Sequence, residues 1–164
     1  MHKYSEEYKQ DILIRITKFF EYHFGLDSSS TRNTIDANMA EQNLKDWTSG
    51  DNELFVILFE GKSVGFLRIG YRGGNVAWIE DVFVDEDYRN KGIATNSILQ
   101  AEEIIKSHLP YNAVCFDVVP NNMEALKLYH KLGYDTLSLL TVRKELKHCN
   151  RGRNETILGL KFKL

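Results

Sequence analysis

The sequence predicts an α/β (α+β) domain, a mixed and largely antiparallel sheet flanked by helices. Three observations carry this reading. Roughly the first 50 residues repeat apolar side chains at helical spacing. Short runs rich in Val, Ile and Phe then replace that periodicity, punctuated by Gly61-Lys62 and Gly73-Gly74. Beyond them helical and strand-like stretches alternate, giving the order α-α-β-β-β-α-β-α-β-β.

Taken in turn, Ile12, Ile16, Phe19 and Phe20 lie on one face of the first helix, with Glu6, Lys9 and Lys18 among its polar positions. Helical spacing begins almost at once, so no strand is expected before it. A polar, Ser/Thr-rich break from Leu26 to Asn33 leads to a second helix over Ile35 to Trp47, which stops near Gly50. Strands over Leu54 to Phe59, Val64 to Tyr71 and Val76 to Val84 form an antiparallel meander. A helix from Gly92 to His108 carries Ile98, Ala101, Ile105 and Leu109 as its apolar stripe. The next strand, Asn112 to Val119, is reached by a strand–helix–strand crossover and is therefore expected to run parallel to Val76 to Val84. Asn121 to Leu132 is a short helix with Ala125, Leu128, Tyr129 and Leu132 on one face, ended by Gly133. Two closing strands, Thr136 to Leu146 and Thr156 to Leu164, are joined by a polar, basic turn.

Composition bounds the function. The chain has 164 residues, 43% hydrophobic and 27% charged, with 21 Lys+Arg against 23 Asp+Glu. That fits one domain over residues 1–164 with a sizeable core, and excludes general disorder. A net charge of −2 excludes binding of nucleic acid by bulk charge. Cys115 and Cys149 cannot make a disulfide framework, which fits a reducing, cytoplasmic setting. No apolar run approaches the ~18 residues a membrane span needs, and the start of the chain does not resemble a secretion signal. The histidines show no metal-ligand spacing, and His148-Cys149 adjoin without partners, so no metal is expected.

Two segments carry chemistry. In the first, a strand bearing Glu80 and Asp81 runs through Val82, Phe83 and Val84 into a loop, Arg89-Asn90-Lys91-Gly92, which opens a helix at Ile93-Ala94-Thr95. Helix starts have open backbone N–H groups and the positive end of the macrodipole. Small residues at Gly92 and Ala94, with charge from Arg89 and Lys91, suit a phosphate or pyrophosphate; an ordinary helix start with a solvated basic loop fits the same residues. Neither a Walker loop nor a Gly-x-Gly-x-x-Gly fingerprint is present. In the second segment, Asn121 and Glu124 resemble a capping box, which leaves Asn122 without an obvious structural task. Tyr129 lies two turns beyond Asn122 on the same face and reads either as a core residue or as a functional one.

Together, Arg89-x-x-Gly92-x-Ala94 after an acidic strand and Asn122-x-x-Ala125-x-x-Leu128-Tyr129-x-x-x-Gly133-Tyr134 resemble the GNAT superfamily of N-acetyltransferases. The strand Ile79-Glu80-Asp81-Val82-Phe83-Val84 is most similar to its diamine (spermidine/spermine) and aminoglycoside branches. Two positions depart from the pattern: Asp85-Glu86-Asp87 stands where a proline is usual, and Ala94 replaces the last glycine of the loop.

The resemblance implies an acyl-CoA core over residues 54–146, a helical acceptor-side region over 1–50 and a closing strand over 155–164. It implies acetyl-CoA as co-substrate, its pyrophosphate on the backbone of Asn90 to Thr95, its pantetheine arm along Val82 to Val84, and Asn122 bonded to it. Direct attack of an amine on the thioester follows, with Glu80 as base through water, Asp81 holding a cationic acceptor, and Tyr129 near the sulfur. A backbone N–H of Phe83 or Val84 would polarise the thioester oxygen. The carboxylates at Glu80, Asp81 and Asp85 to Asp87 suit a small cationic amine. A protein lysine or N-terminal acetyltransferase and a non-catalytic acyl-CoA-binding module remain alternatives, as do monomer and homodimer. Arg143, Lys144, Lys147, Arg151 and Arg153 make the final turn basic, as a solvated loop or a contact for RNA or an acidic protein.

Overall fold

In the computed structural model, which describes residues 1–26, 34–108, 111–144, 146 and 153–164, the first helix, α1 (Lys9–Leu26), buries Ile12, Ile16 and Phe19 as its periodicity predicts. The second, α2 (Ala37–Trp47), starts two residues later than expected. The Asp36 carboxylate accepts the backbone N–H of Met39 at 2.8 Å and caps it. Ahead of α1, His2–Lys3 form a short strand, β1, antiparallel to β2 (Asn52–Phe59), where no strand was expected. Two residues are too few for a hydrophobic period.

Strands β2, β3 (Lys62–Gly70) and β4 (Val76–Val84) make the expected antiparallel meander. Helix α3 (Ile93–Ser107) crosses over to β5 (Ala113–Cys115), which pairs with β4 in parallel. The sheet order is β1-β2-β3-β4-β5. Leu54, Val56, Phe66 and Phe83 form one core with α1 and α2; Leu67, Ile69, Ala77, Ile79 and Val84 form the other with Ile98, Ala101 and Ile105 of α3. Leu109 lies outside the described residues, as does most of the Leu26 to Asn33 break.

Three expectations are corrected. The strand expected over Asn112 to Val119 is only Ala113–Cys115, because β5 leaves the ladder after Trp78↔Cys115. Helix α4 (Met123–Lys131) is capped by Asn122, whose side chain accepts from Ala125 N–H, not by Asn121, whose amide donates to the Leu26 carbonyl at 3.3 Å. The two closing strands are replaced. Residues 135–144 join no ladder, and β6 (Asn154–Ile157) and β7 (Leu160–Lys163) form a separate hairpin through a turn at Leu158-Gly159. Lys147, His148, Cys149 and Arg151 lie outside the described residues.

Strands β3 and β4 approach closely at Gly65. A Cβ there would meet the Phe83 carbonyl and the Val84 backbone, neither of which can swing aside. Gly65→Ala is expected to destabilise the protein by about 1–3 kcal/mol in urea unfolding. Gly25→Ala, inside α1 with open space around it, is expected to be neutral or stabilising. Equal midpoints for the two variants would refute the close-approach argument.

Candidate functional site

The sheet is split beneath α3. Beyond Trp78 and Cys115 the two strands part, and between Glu80 to Val84 on one side and Phe116 to Val119 on the other lies a cleft of about 560 Å³. Arg89, Asn90 and Gly92 to Thr95 close one end, Asn122, Leu128 and Tyr129 at α4 form a wall, and Phe19, Tyr22 and His23 of α1 overhang it. Nearly every residue singled out in the sequence therefore borders one space; Lys91, exposed beside it, reaches the Tyr88 ring at 5.1 Å. Phe19, Tyr22 and His23 were not anticipated. The only sequence signal was an aromatic-rich end to α1, which reads equally well as core.

The first turn of α3 opens on this cleft. Asn90 and Gly92 both have left-handed backbone, φ 60° and 74°, which turns the chain sharply enough to aim successive N–H groups outward. Gly92 caps the helix with no side-chain bond, so the N–H groups of Ile93, Ala94 and Thr95 are not covered by a capping side chain. Arg89 turns inward. Its Nε donates to the Val84 carbonyl at 3.1 Å, and its guanidinium lies 4.9 Å from the Tyr22 ring.

A bulge arranges the carboxylates. Arg68 faces Asp81 and Ile69 faces Ile79, which leaves Glu80 as the extra, unpaired residue of β4. In a regular strand Glu80 and Asp81 would point to opposite faces. Here both come to Arg68, which holds Asp81 at 2.7 Å and lies 3.9 Å from Glu80. Gly70 makes room, since a Cβ there would strike the Glu80 side chain.

The two acids then differ. Both Glu80 oxygens are engaged by Arg72, at 2.8 Å and 2.5 Å, and this pairing holds its carboxyl below the usual range. Asp81 is 12% exposed, and burial pushes its carboxyl up against the opposing pull of Arg68. Its charge is felt by His23 and by Tyr129, whose phenol is raised first by burial and then by Asp81. The surroundings of Glu80 thus disfavour the base role expected of it. Asp85 also departs from expectation: it turns to Arg15 at 2.9 Å and Lys18 at 3.1 Å rather than toward an acceptor.

Tyr129 is held by its ring, stacked on Phe116 with centroids 3.9 Å apart and 15° between planes. Its hydroxyl has no hydrogen-bond partner among the described residues. Asn122 has the structural task its sequence context seemed to lack, yet its NH₂ group remains available after Oδ1 has capped α4. Among the described residues no three His, Cys, Asp or Glu side chains cluster to hold a metal, and no helix is long and apolar enough to cross a membrane.

Comparison with known proteins gives a consistent result. The family model described as acetyltransferase (GNAT) family matches residues 19–134. Among solved structures, the Bacillus subtilis protein YycN superposes with a TM-score of 0.67 at 22% identity, covering 89% of this chain and 98% of that one. A possible acetyltransferase from Clostridium difficile gives 0.71 at 18%, covering 90% and 97%. An aminoglycoside acetyltransferase from an uncultured soil metagenomic sample, in complex with sisomicin, gives 0.60 at 21%, covering 89% and 95%. No curated protein matches the chain.

Proposed function

The chain belongs to the acetyltransferase (GNAT) family and is an acyltransferase, and from that premise we propose that it moves an acetyl group from acetyl-CoA to the primary amine of a small cationic acceptor, by direct attack in a ternary complex. The observation that carries the reading is the parting of β4 and β5 directly below the first turn of α3. A split sheet offers a strand edge at Val82 to Val84 that no strand covers, with the Val84 carbonyl taken by Arg89, for an extended amide-bearing arm, and the helix start offers backbone N–H groups for its pyrophosphate. The residues present therefore fit acetyl-CoA: Asn90 to Thr95 for the phosphates, with Arg89 and Lys91 adding charge, Val82 to Val84 for the arm, and the Asn122 NH₂ for an acceptor atom on it.

When bound, acetyl-CoA supplies the thioester carbonyl that an amine attacks. An alkyl amine of pKa ~10.4 is neutral in only about one molecule in 2,500 at pH 7, so a proton acceptor is needed. We assign that role to Asp81 in place of Glu80. Asp81 faces the cleft, its basicity is raised by burial, and a buried carboxylate also attracts the ammonium form of the acceptor. Glu80, locked to Arg72, orients Arg68 and so the Asp81 carboxylate. The N–H of Val84, which faces away from β3 where that of Phe83 pairs with Phe66, would donate to the carbonyl oxygen as charge develops there.

Tyr129 is assigned as a hydrogen-bond donor to the departing sulfur. Proton transfer from a phenol of pKa ~10 to a thiolate of ~8.5 is uphill by about 2 kcal/mol, and burial raises the phenol further, so donation without transfer fits. Tyr129→Phe keeps the Phe116 stack. It is expected to leave the melting temperature and acetyl-CoA affinity near wild type and to lower turnover at least about tenfold. Wild-type turnover would return Tyr129 to a packing role.

Thiol release measured with diamines, aminoglycosides, aryl-alkyl amines and lysine-bearing peptides tests the whole reading. Turnover of small amines with silent peptides is the expected result. Preference for peptides would favour a protein acetyltransferase, and silence throughout, with acetyl-CoA bound, a binding module.

A further inference from the structure

His23 is the one histidine among the described residues that borders the cleft. It sits in the last turns of α1, its ring 4.2 Å from Phe19 and 5.9 Å from Tyr22, centroid to centroid, and so fixed in place. No hydrogen bond to either ring nitrogen is made by a described residue. Asp81 lines the same cleft from β4 without a direct hydrogen bond or ion pair to His23, and its charge bears on the imidazole across that space. The other titratable and charged groups around the pair are Glu80 on β4, Arg68 on β3, Tyr22 on the same helix, Arg89 on the loop before α3, and Tyr129 on α4. Arg68 approaches Asp81 from β3 and already balances its charge, so a second cation at His23 has no structural purpose. Burial of the imidazole favours its neutral form, the form able to receive a proton.

We propose that His23 is a proton relay for acetyl transfer, drawing from Asp81 the proton that the acceptor ammonium gives up and passing it to solvent. This rests on the acetyl-transfer reading and extends it. An N–H bond of the ammonium breaks and its proton joins the Asp81 carboxylate. That proton crosses the cleft through water to an imidazole nitrogen, leaving Asp81 ionised again, and then leaves the imidazolium for bulk solvent. The freed nitrogen lone pair forms the C–N bond while the C–S bond of the thioester breaks. The second nitrogen proton balances the departing sulfur. The bland alternative is that the ring serves only to pack on Phe19.

His23→Phe separates the two, because it keeps an aromatic ring and deletes the nitrogens. The expected result is a ten- to hundredfold lower kcat/KM for the amine near neutral pH, an unchanged acetyl-CoA affinity, and an ascending limb of the pH profile moved toward that of the unassisted free amine. Packing alone would leave that limb where it is. A second measurement needs no substrate. In NMR titration of the wild-type protein the His23 ring is expected to titrate below the ordinary histidine range, and in Asp81→Asn lower still, since a favourable neighbouring charge is gone. A His23 titration indifferent to Asp81, or a folded His23→Phe with the wild-type profile, overturns the proposal. Absence of turnover with every amine overturns the acetyl-transfer reading instead.

Discussion

Asp81→Asn is expected to lower kcat/KM for the acceptor amine by about 10²–10⁴ at neutral pH, with acetyl-CoA affinity unchanged. The deficit is expected to shrink as pH rises and free amine becomes abundant. Glu80→Gln is expected to cost less in turnover and more in stability, because it removes the carboxylate charge paired with Arg72 and leaves Asp117 as the ion-pair partner of that arginine, and it frees Arg68 to shift. Stability gives an independent reading of the same assignment. Burial raises the Asp81 carboxyl in the folded protein, so the unfolded chain releases that proton at lower pH than the folded one. Its contribution to stability is full below the unfolded pKa of ~3.9 and is lost as pH rises through the raised folded value. Asn cannot ionise, so the gap in melting temperature between variant and wild type is expected to move in the variant's favour from acid to neutral pH. Glu80 has the opposite sign. Its lowered carboxyl contributes above the unfolded pKa and is lost on acidification through the folded value. If Glu80→Gln abolishes turnover at every pH while Asp81→Asn does not, the roles are as the sequence alone suggested.

What the sequence discloses depends on how local the signal is. The meander, the crossover and the two helix faces are periodic over many residues, so the sequence alone places Ile98, Ala101 and Ile105 in the core. The cleft-lining strand and loop were legible because a strand–loop–helix junction is contiguous in the chain. The acid pair was not. Alternation puts Glu80 and Asp81 on opposite faces, and only the bulge, set by pairing with β3, brings both to Arg68. His23 escaped for a related reason: its meaning comes from Asp81, 58 positions away in the chain. The closing strand expected over Thr136 to Leu146 has no partner strand among the described residues, and Leu137, Leu139 and Val142 are each more than two-thirds exposed. Pattern shows what could pair, whereas register and partner are decided by the rest of the fold.

Gly92→Val is expected to weaken acetyl-CoA binding at least about a hundredfold, or ~2.7 kcal/mol, in a protein that still folds. At φ 74° the residue is in the left-handed region, where a β-branched side chain carries a strain of order 1–3 kcal/mol. Relief requires the loop from Tyr88 to Gly92 to change course, and the N–H groups of Ile93 to Thr95 turn with it. A Cβ at this position meets nothing within 4 Å, so the free protein has no clash to resolve. The added methyls instead project where an anion would come down on the helix start. The helix itself survives, because Ile93, Ile98, Ala101 and Ile105 anchor it on the sheet. Gly92→Asn separates strain from obstruction: asparagine tolerates left-handed backbone, as Asn90 already does two residues earlier, so it restores the loop while keeping a side chain in the way. Recovery of binding in Gly92→Asn would identify backbone strain as the cause, and continued loss would identify steric exclusion of the phosphate. Wild-type calorimetric affinity in folded Gly92→Val would remove the first turn of α3 from the acetyl-CoA site altogether.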